Sequence, residues 1–111
     1  MPLRQLVRAQ WQEYFDRLSR ALDSERVEIG VTGLGLGEQI ETDWIRLTGI
    51  SYDPEKNVLA VIAEGIDHLI RQPRRISIDH DAEWLYGIEA TDADGHHHFI
   101  VFKAPLIVPA P

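Results

Sequence analysis

Five histidines and three clustered arginines are the residues here whose chemistry asks for explanation first. His96, His97 and His98 are consecutive, and His68 and His80 stand elsewhere. On an extended strand, alternate side chains share a face, so His96 and His98 could offer two imidazoles to one metal ion. With His80 or Asp79 nearby, a three-ligand site becomes conceivable. The plainer reading is a solvated polar run beside a hairpin turn, open to adventitious zinc or nickel. Asp92-Ala93-Asp94-Gly95 resembles part of a calcium loop. An EF-hand, however, needs further oxygen ligands and a late glutamate between two helices, and here a strand follows at once.

Arg71, Arg74 and Arg75 form the only local reversal of an acidic chain of net charge −7. Guanidinium groups bind carboxylate or phosphate bidentately, so these three make a candidate anion site. The alternative is a solvated loop edge paired with Asp67, Asp79 or Glu64. The glycine-rich Gly33-Leu34-Gly35-Leu36-Gly37 invites comparison with a phosphate cradle. Its spacing is Gly-x-Gly-x-Gly, with no following helix pattern and no Gly-Lys-Ser/Thr, so unusual φ angles or a bend in a sheet explain it better. Serines 19, 24, 51 and 77 lie in no nucleophile elbow. Eighteen acidic residues offer many pairs, and no spacing singles one out for acid–base work. No catalytic residue and no cofactor is expected.

The elements that must carry these residues follow from hydrophobic periodicity. Leu3, Leu6, Val7, Trp11, Tyr14, Phe15, Leu18 and Leu22 recur at three- and four-residue steps, which predicts an amphipathic helix over 6–22. Pro2 and two early arginines make a poor helix start, so the first turn is expected to fray. The Trp11, Tyr14, Phe15 stripe is expected to pack on a sheet rather than hold a ligand. Alternating or apolar runs predict strands near 26–32, 44–52, 57–64, 74–79, 84–91 and 96–103. Asp53-Pro54-Glu55-Lys56-Asn57 supplies the turn of a central hairpin, and Asp92-Ala93-Asp94-Gly95 that of a second. The run over 58–63 is apolar on both faces, as for a strand covered on both sides. Residues 65–72 read as a single helical turn pinned by Ile66, Leu69 and Ile70. The tail over 104–111 is extended by its prolines and apolar, and is expected to pack on its own domain or on another copy.

The expected fold is therefore α+β: one N-terminal helix on a strongly twisted antiparallel sheet or small open barrel of five to six strands, in one domain spanning 1–111. A chain of 111 residues, 44% hydrophobic, can bury its own core. There is no cysteine, which removes disulfides and thiolate chemistry. No apolar run reaches the length of a membrane helix, and the first residues show no signal-peptide core. A cytoplasmic location is expected, with no membrane partner. Net charge −7 argues against nucleic acid.

Trp11-Gln-Glu-Tyr-Phe-Asp-Arg-Leu-Ser19, the strand at Val27–Val31, Leu47-Thr-Gly-Ile50, His68-Leu-Ile with Pro73, and Ile88-Glu-Ala-Thr-Asp-Ala-Asp-Gly95 together resemble a small bacterial domain-of-unknown-function family of about this length. The resemblance covers nearly the whole chain and rests on structural motifs. It implies a bacterial, cytosolic domain and carries over no activity, cofactor or catalytic residue. The expected function is a non-enzymatic binding or interaction module, with a protein partner or self-association through a strand edge or the tail. Two alternatives are a ligand-binding or enzymatic site between helix and sheet, and the histidine metal site.

Overall fold

The structure is a computed structural model, and it describes residues 3–33, 37–40, 42–109 and 111. Among these, nine strands and one helix follow in the order β1 (Leu3–Gln5), a 3-10 turn (Arg8–Gln10), α1 (Trp11–Ala21), β2 (Arg26–Gly33), β3 (Gly37–Ile40), β4 (Ile45–Asp53), β5 (Val58–Ala63), β6 (Ile66–Arg71), β7 (Pro73–Asp81), β8 (Trp84–Asp92) and β9 (His97–Ile107). The pairing is antiparallel throughout, in the order β1-β7-β8-β9-β2-β4-β5-β6, with β3 added to β2. An α+β fold with one helix on an antiparallel sheet is what the sequence predicts. The strand number exceeds the expected five to six, and the sheet curls without closing.

The curl is loosest between β2 and β4. They pair only at Arg26 opposite Arg46 and Val27 opposite Ile45, then part. Two side chains replace the missing ladder. Thr42 Oγ1 accepts the Ile29 amide at 2.7 Å and donates to the Val27 carbonyl at 3.1 Å, so β2 loses no buried hydrogen bond. On β4, the Ile50 amide donates to Ser19 Oγ at 2.9 Å, and the Ser19 hydroxyl donates to the Ile50 carbonyl. One serine of α1 thus binds both backbone groups of a strand edge, which covers that edge with a helix.

The apolar face of α1 is sealed. Trp11, Tyr14, Phe15 and Leu18 are buried in one cluster with Leu47, Ile50, Leu59, Val61, Ile76, Ile78, Leu85 and Ile100. Trp11 meets Tyr52 edge to face at 5.1 Å, and Tyr14 meets Phe15 at 5.4 Å. The stripe is packing, as expected; an open cleft of about 450 Å³ lies beside it at the helix start, lined by Arg8, Gln12, Tyr52 and Asn57.

Several boundaries differ from expectation. The helix is shorter than 6–22: Leu3–Gln5 is a strand on β7, Leu6 donates its amide to Ile76, and helical geometry begins at Arg8. Residues 66–71 form β6, not a helical turn. Glu64 and Gly65, with φ of +78° at the glycine, make a two-residue hairpin turn that sends the chain back along β5. His68 obscures the strand period in the sequence. Counted as polar it breaks the alternation, yet it faces inward beside Ile70 while Asp67, Leu69 and Arg71 face out. β5 is an interior strand, but only Leu59, Val61 and Ala63 are fully buried; Val58, Ala60 and Ile62 lie on the half-exposed outer face. The ladder between β4 and β5 shifts register at Leu47/Gly49, which brings Leu47 and Ile50 to the same inner side instead of opposite faces. The tail continues β9 to Ile107, with Leu106 and Val108 buried, so it packs on its own chain. Of the glycine-rich loop, residues 34–36 lie outside the described residues.

Candidate functional site

Where β7 begins and the β8–β9 turn closes, buried polar side chains gather at one end of the sheet. Asp92 ends β8 and is only 8% exposed. Its Oδ1 accepts the amides of Asp94 at 2.9 Å and His96 at 3.0 Å, so the carboxylate itself builds the turn. Its Oδ2 accepts from His98 Nε2 at 2.8 Å and lies 3.5 Å from His96 Nδ1. The other ring nitrogen of His98 is 2.9 Å from His68 Nε2 on β6. Three strands are thereby joined by a chain of polar contacts, His68 to His98 to Asp92.

The protonation states follow from these partners. Burial works to raise the Asp92 carboxyl, but the hydrogen bonds from His98 and from the His96 and Asp94 amides overcome it and hold the group below its ordinary range. Burial keeps the His98 ring neutral; the Asp92 bond opposes this and the neighbouring His68 and His96 reinforce it. A neutral ring that gives Nε2–H to Asp92 must accept at Nδ1, so His68 donates to it. Both His98 nitrogens are occupied, and neither faces a nucleophile.

Beside this chain lies an open cleft of about 410 Å³, lined by Gln5, Arg74, Arg75, Thr91, Asp92, His97 and the turn. The β7–β8 register shifts here: Pro73 stands opposite Asp92 and Arg75 opposite Thr91, leaving Arg74 as an extra residue. Such a bulge re-aims side chains, which is how two successive residues come to line one cleft. Among the described residues, neither guanidinium has a carboxylate or hydrogen-bond partner. Thr91 Oγ1 and His97 Nδ1, 3.1 Å apart, line the same cleft.

Of the residues singled out in the sequence, Arg74 and Arg75 come together while Arg71 does not. It pairs with Val58 and lines a separate depression with Ser51, Asp53 and Lys56. His96 and His98 meet at Asp92 Oδ2 rather than side by side on a strand face, since β9 starts only at His97. His80 is remote: it donates to the Val108 carbonyl at 2.9 Å, seven residues along the ladder from Asp92, roughly 20 Å away. Asp92 and His68 were missed as partners of His98, and the period-two pattern of Ile66, His68 and Ile70 was the signal for one of them. Arg8 was also missed. It stacks 4.3 Å from the Trp11 ring and donates to Tyr52 Oη and the Pro73 carbonyl at 3.3 and 3.1 Å, which pins the 3-10 turn.

Fold and site together define a small antiparallel β-domain with a helix-sealed core and a polar end built from a buried Asp–His chain. A model of a family of unknown function, DUF5335, matches residues 3–111, and the chain belongs to that family. An uncharacterized protein of the bacterium Aquifex aeolicus (strain VF5) is 31% identical over 110 residues, covering 98% of this chain and 99% of the relative. No solved structure matches. Among the described residues, no helix is long and apolar enough to cross a membrane.

Proposed function

We propose that this chain is a non-enzymatic binding module whose ligand is a small anion, a phosphate or carboxylate group, held between Arg74 and Arg75. The observation that carries the reading is that Arg74 and Arg75 line one cleft with no carboxylate partner among the described residues, in a chain of net charge −7. Two such arginines lining one polar cleft favour a ligand that arrives from outside. Gln5 and Thr91 add neutral hydrogen-bonding groups. The non-enzymatic part rests on His98, whose two nitrogens are both engaged, and on Ser19, whose hydroxyl is spent on the Ile50 backbone. One hydrophobic cluster joining helix and strands supports a single domain over 1–111, and the lack of cysteine suits a reducing cytoplasm.

The test is calorimetric titration with inorganic phosphate and, separately, citrate at low ionic strength. Saturable binding of one anion, abolished in Arg74→Ala/Arg75→Ala and retained in Arg71→Ala, is expected. Absence of binding, or equal loss in Arg71→Ala, would overturn the site. Self-association is a second reading, favoured by Trp84 opposite Ile107, with Leu3 and Val101, all exposed on the outer sheet face. Sedimentation at rising concentration tests it, with a constant single-chain mass as the contrary result.

A further inference from the structure

We infer that the β8–β9 turn is a divalent transition-metal site whose protein ligands are Asp92, His96 and Asp94. A carboxylate oxygen from each aspartate and an imidazole nitrogen of His96 all lie within 4.8 Å of one another. Around a tetrahedral ion with bonds near 2.0–2.1 Å, adjacent ligand atoms stand about 3.3 Å apart. His96 Nδ1 and Asp92 Oδ2, at 3.5 Å, already have that spacing. Asp94 is exposed, with a carboxylate oxygen within 4.8 Å of both other ligand atoms.

The two other members are held in place. Asp92 is fixed by two backbone amides on one oxygen and by His98 on the other. A ligating carboxylate with such an outer hydrogen-bond partner is oriented before the ion arrives. The His96 ring is seated over Gly33 at the end of β2. A Cβ there would stand 2.4 Å from His96 Cδ2, so the absence of a side chain on a neighbouring strand is what admits the imidazole. One nitrogen and two oxygen ligands, with the remaining positions open to water, suit zinc or cobalt. They do not suit calcium, which takes six to eight oxygens. His98 belongs to the site as the partner of Asp92 rather than as a ligand, because its Nε2–H is already donated to that carboxylate.

The ligands of this site differ from the arginines of the anion cleft, so the two stand or fall separately. The experiment is titration of the tag-free, chelator-stripped chain with cobalt(II), read by visible absorption and by dialysis stoichiometry. One ion per chain is expected. His96→Ala and Asp94→Asn should each weaken it at least about tenfold. His97→Ala should leave it unchanged, since that ring turns to Thr91. Gly33→Ala, which alters no ligand, should weaken it by displacing the His96 ring. Circular dichroism confirms folding of each variant, and Asp94 is exposed enough that its loss cannot unfold the chain by burial. Equal weakening by His97→Ala would mean adventitious chelation by a histidine run and would overturn the proposal. So would full affinity in Asp94→Asn, or no binding to the folded chain.

Discussion

The two ends of this molecule solve the same problem in opposite ways. At the helix side, the sheet edge and the apolar face of α1 are closed by shape: Trp11, Tyr14, Phe15 and Leu18 fill the space, and one serine satisfies the open edge of β4. At the turn end, polar groups are brought inside and satisfied by one another, with Asp92 taking bonds from two amides and a histidine. The core beneath α1 is filled, and the open cleft of about 450 Å³ beside the helix start, at Arg8, Gln12, Tyr52 and Asn57, lies outside it. A polar interior beside an open cleft keeps charged groups fixed where something can bind. Both proposed ligand sites lie in the second region, while the first supplies packing.

The contrast breaks most directly at Trp11. Truncation to alanine should cost about 3–5 kcal/mol in urea unfolding, the range for deleting a large buried aromatic. A cost below about 1 kcal/mol would mean that the stripe does not hold the sheet. Asp92→Ala comes next. It leaves two turn amides and His98 without their acceptor, and about 2–3 kcal/mol is expected from the orphaned groups. If the Asp92 carboxylate holds the turn, amide exchange at Asp94 and His96 should accelerate in this variant while exchange in α1 does not.

Acid should separate the ends further. In chelator-treated protein, the folded His98 titrates below its ordinary 6.5 and Asp92 below its ordinary 3.8. Between each ordinary value and the lower folded one, the unfolded chain binds more protons than the folded chain, so stability falls as pH falls. His98 acts first, below about pH 6.5, and Asp92 only in the carboxylate range. His98→Gln should flatten the first part of the fall and, by altering one of the bonds that hold Asp92 low, reduce the second, measured as urea midpoint against pH. An unchanged profile would remove His98 as its cause.

Smaller effects sharpen the helix side. Ser19→Ala should cost about 1 kcal/mol and deprotect the Ile50 amide in particular. Smallest is Tyr14→Phe. The Tyr14 hydroxyl is buried with no partner among the described residues and its pKa is pushed up to about 12, chiefly by burial, so its removal should be neutral or slightly stabilising in the same unfolding assay.

How far each end could be read from the sequence follows the same division. The helix face was legible because its apolar residues keep one period and are buried by the face that period defines. Asp53 was legible too: its carboxylate accepts the Glu55 and Lys56 amides at 2.9 and 3.3 Å, as a turn-forming aspartate should. The polar end was legible only in its residue types. Register shifts at Leu47/Gly49 and Pro73/Arg75 change which residues share a face, and a period-two count carried through a bulge goes wrong. His68 faces inward where polarity places it outward. The glycine that admits His96 lies 63 positions away, so Gly33 reads as loop chemistry until the strands are assembled.

The central claim is that the turn end, and not the helix side, receives a ligand. Backbone amide shifts followed by NMR during titration with inorganic phosphate test it most directly. Saturable shifts confined to Gln5, Arg74, Arg75, Thr91, Ala93, Gly95 and His97 are predicted. Shifts centred on α1 and β4, or none that saturate, would contradict it.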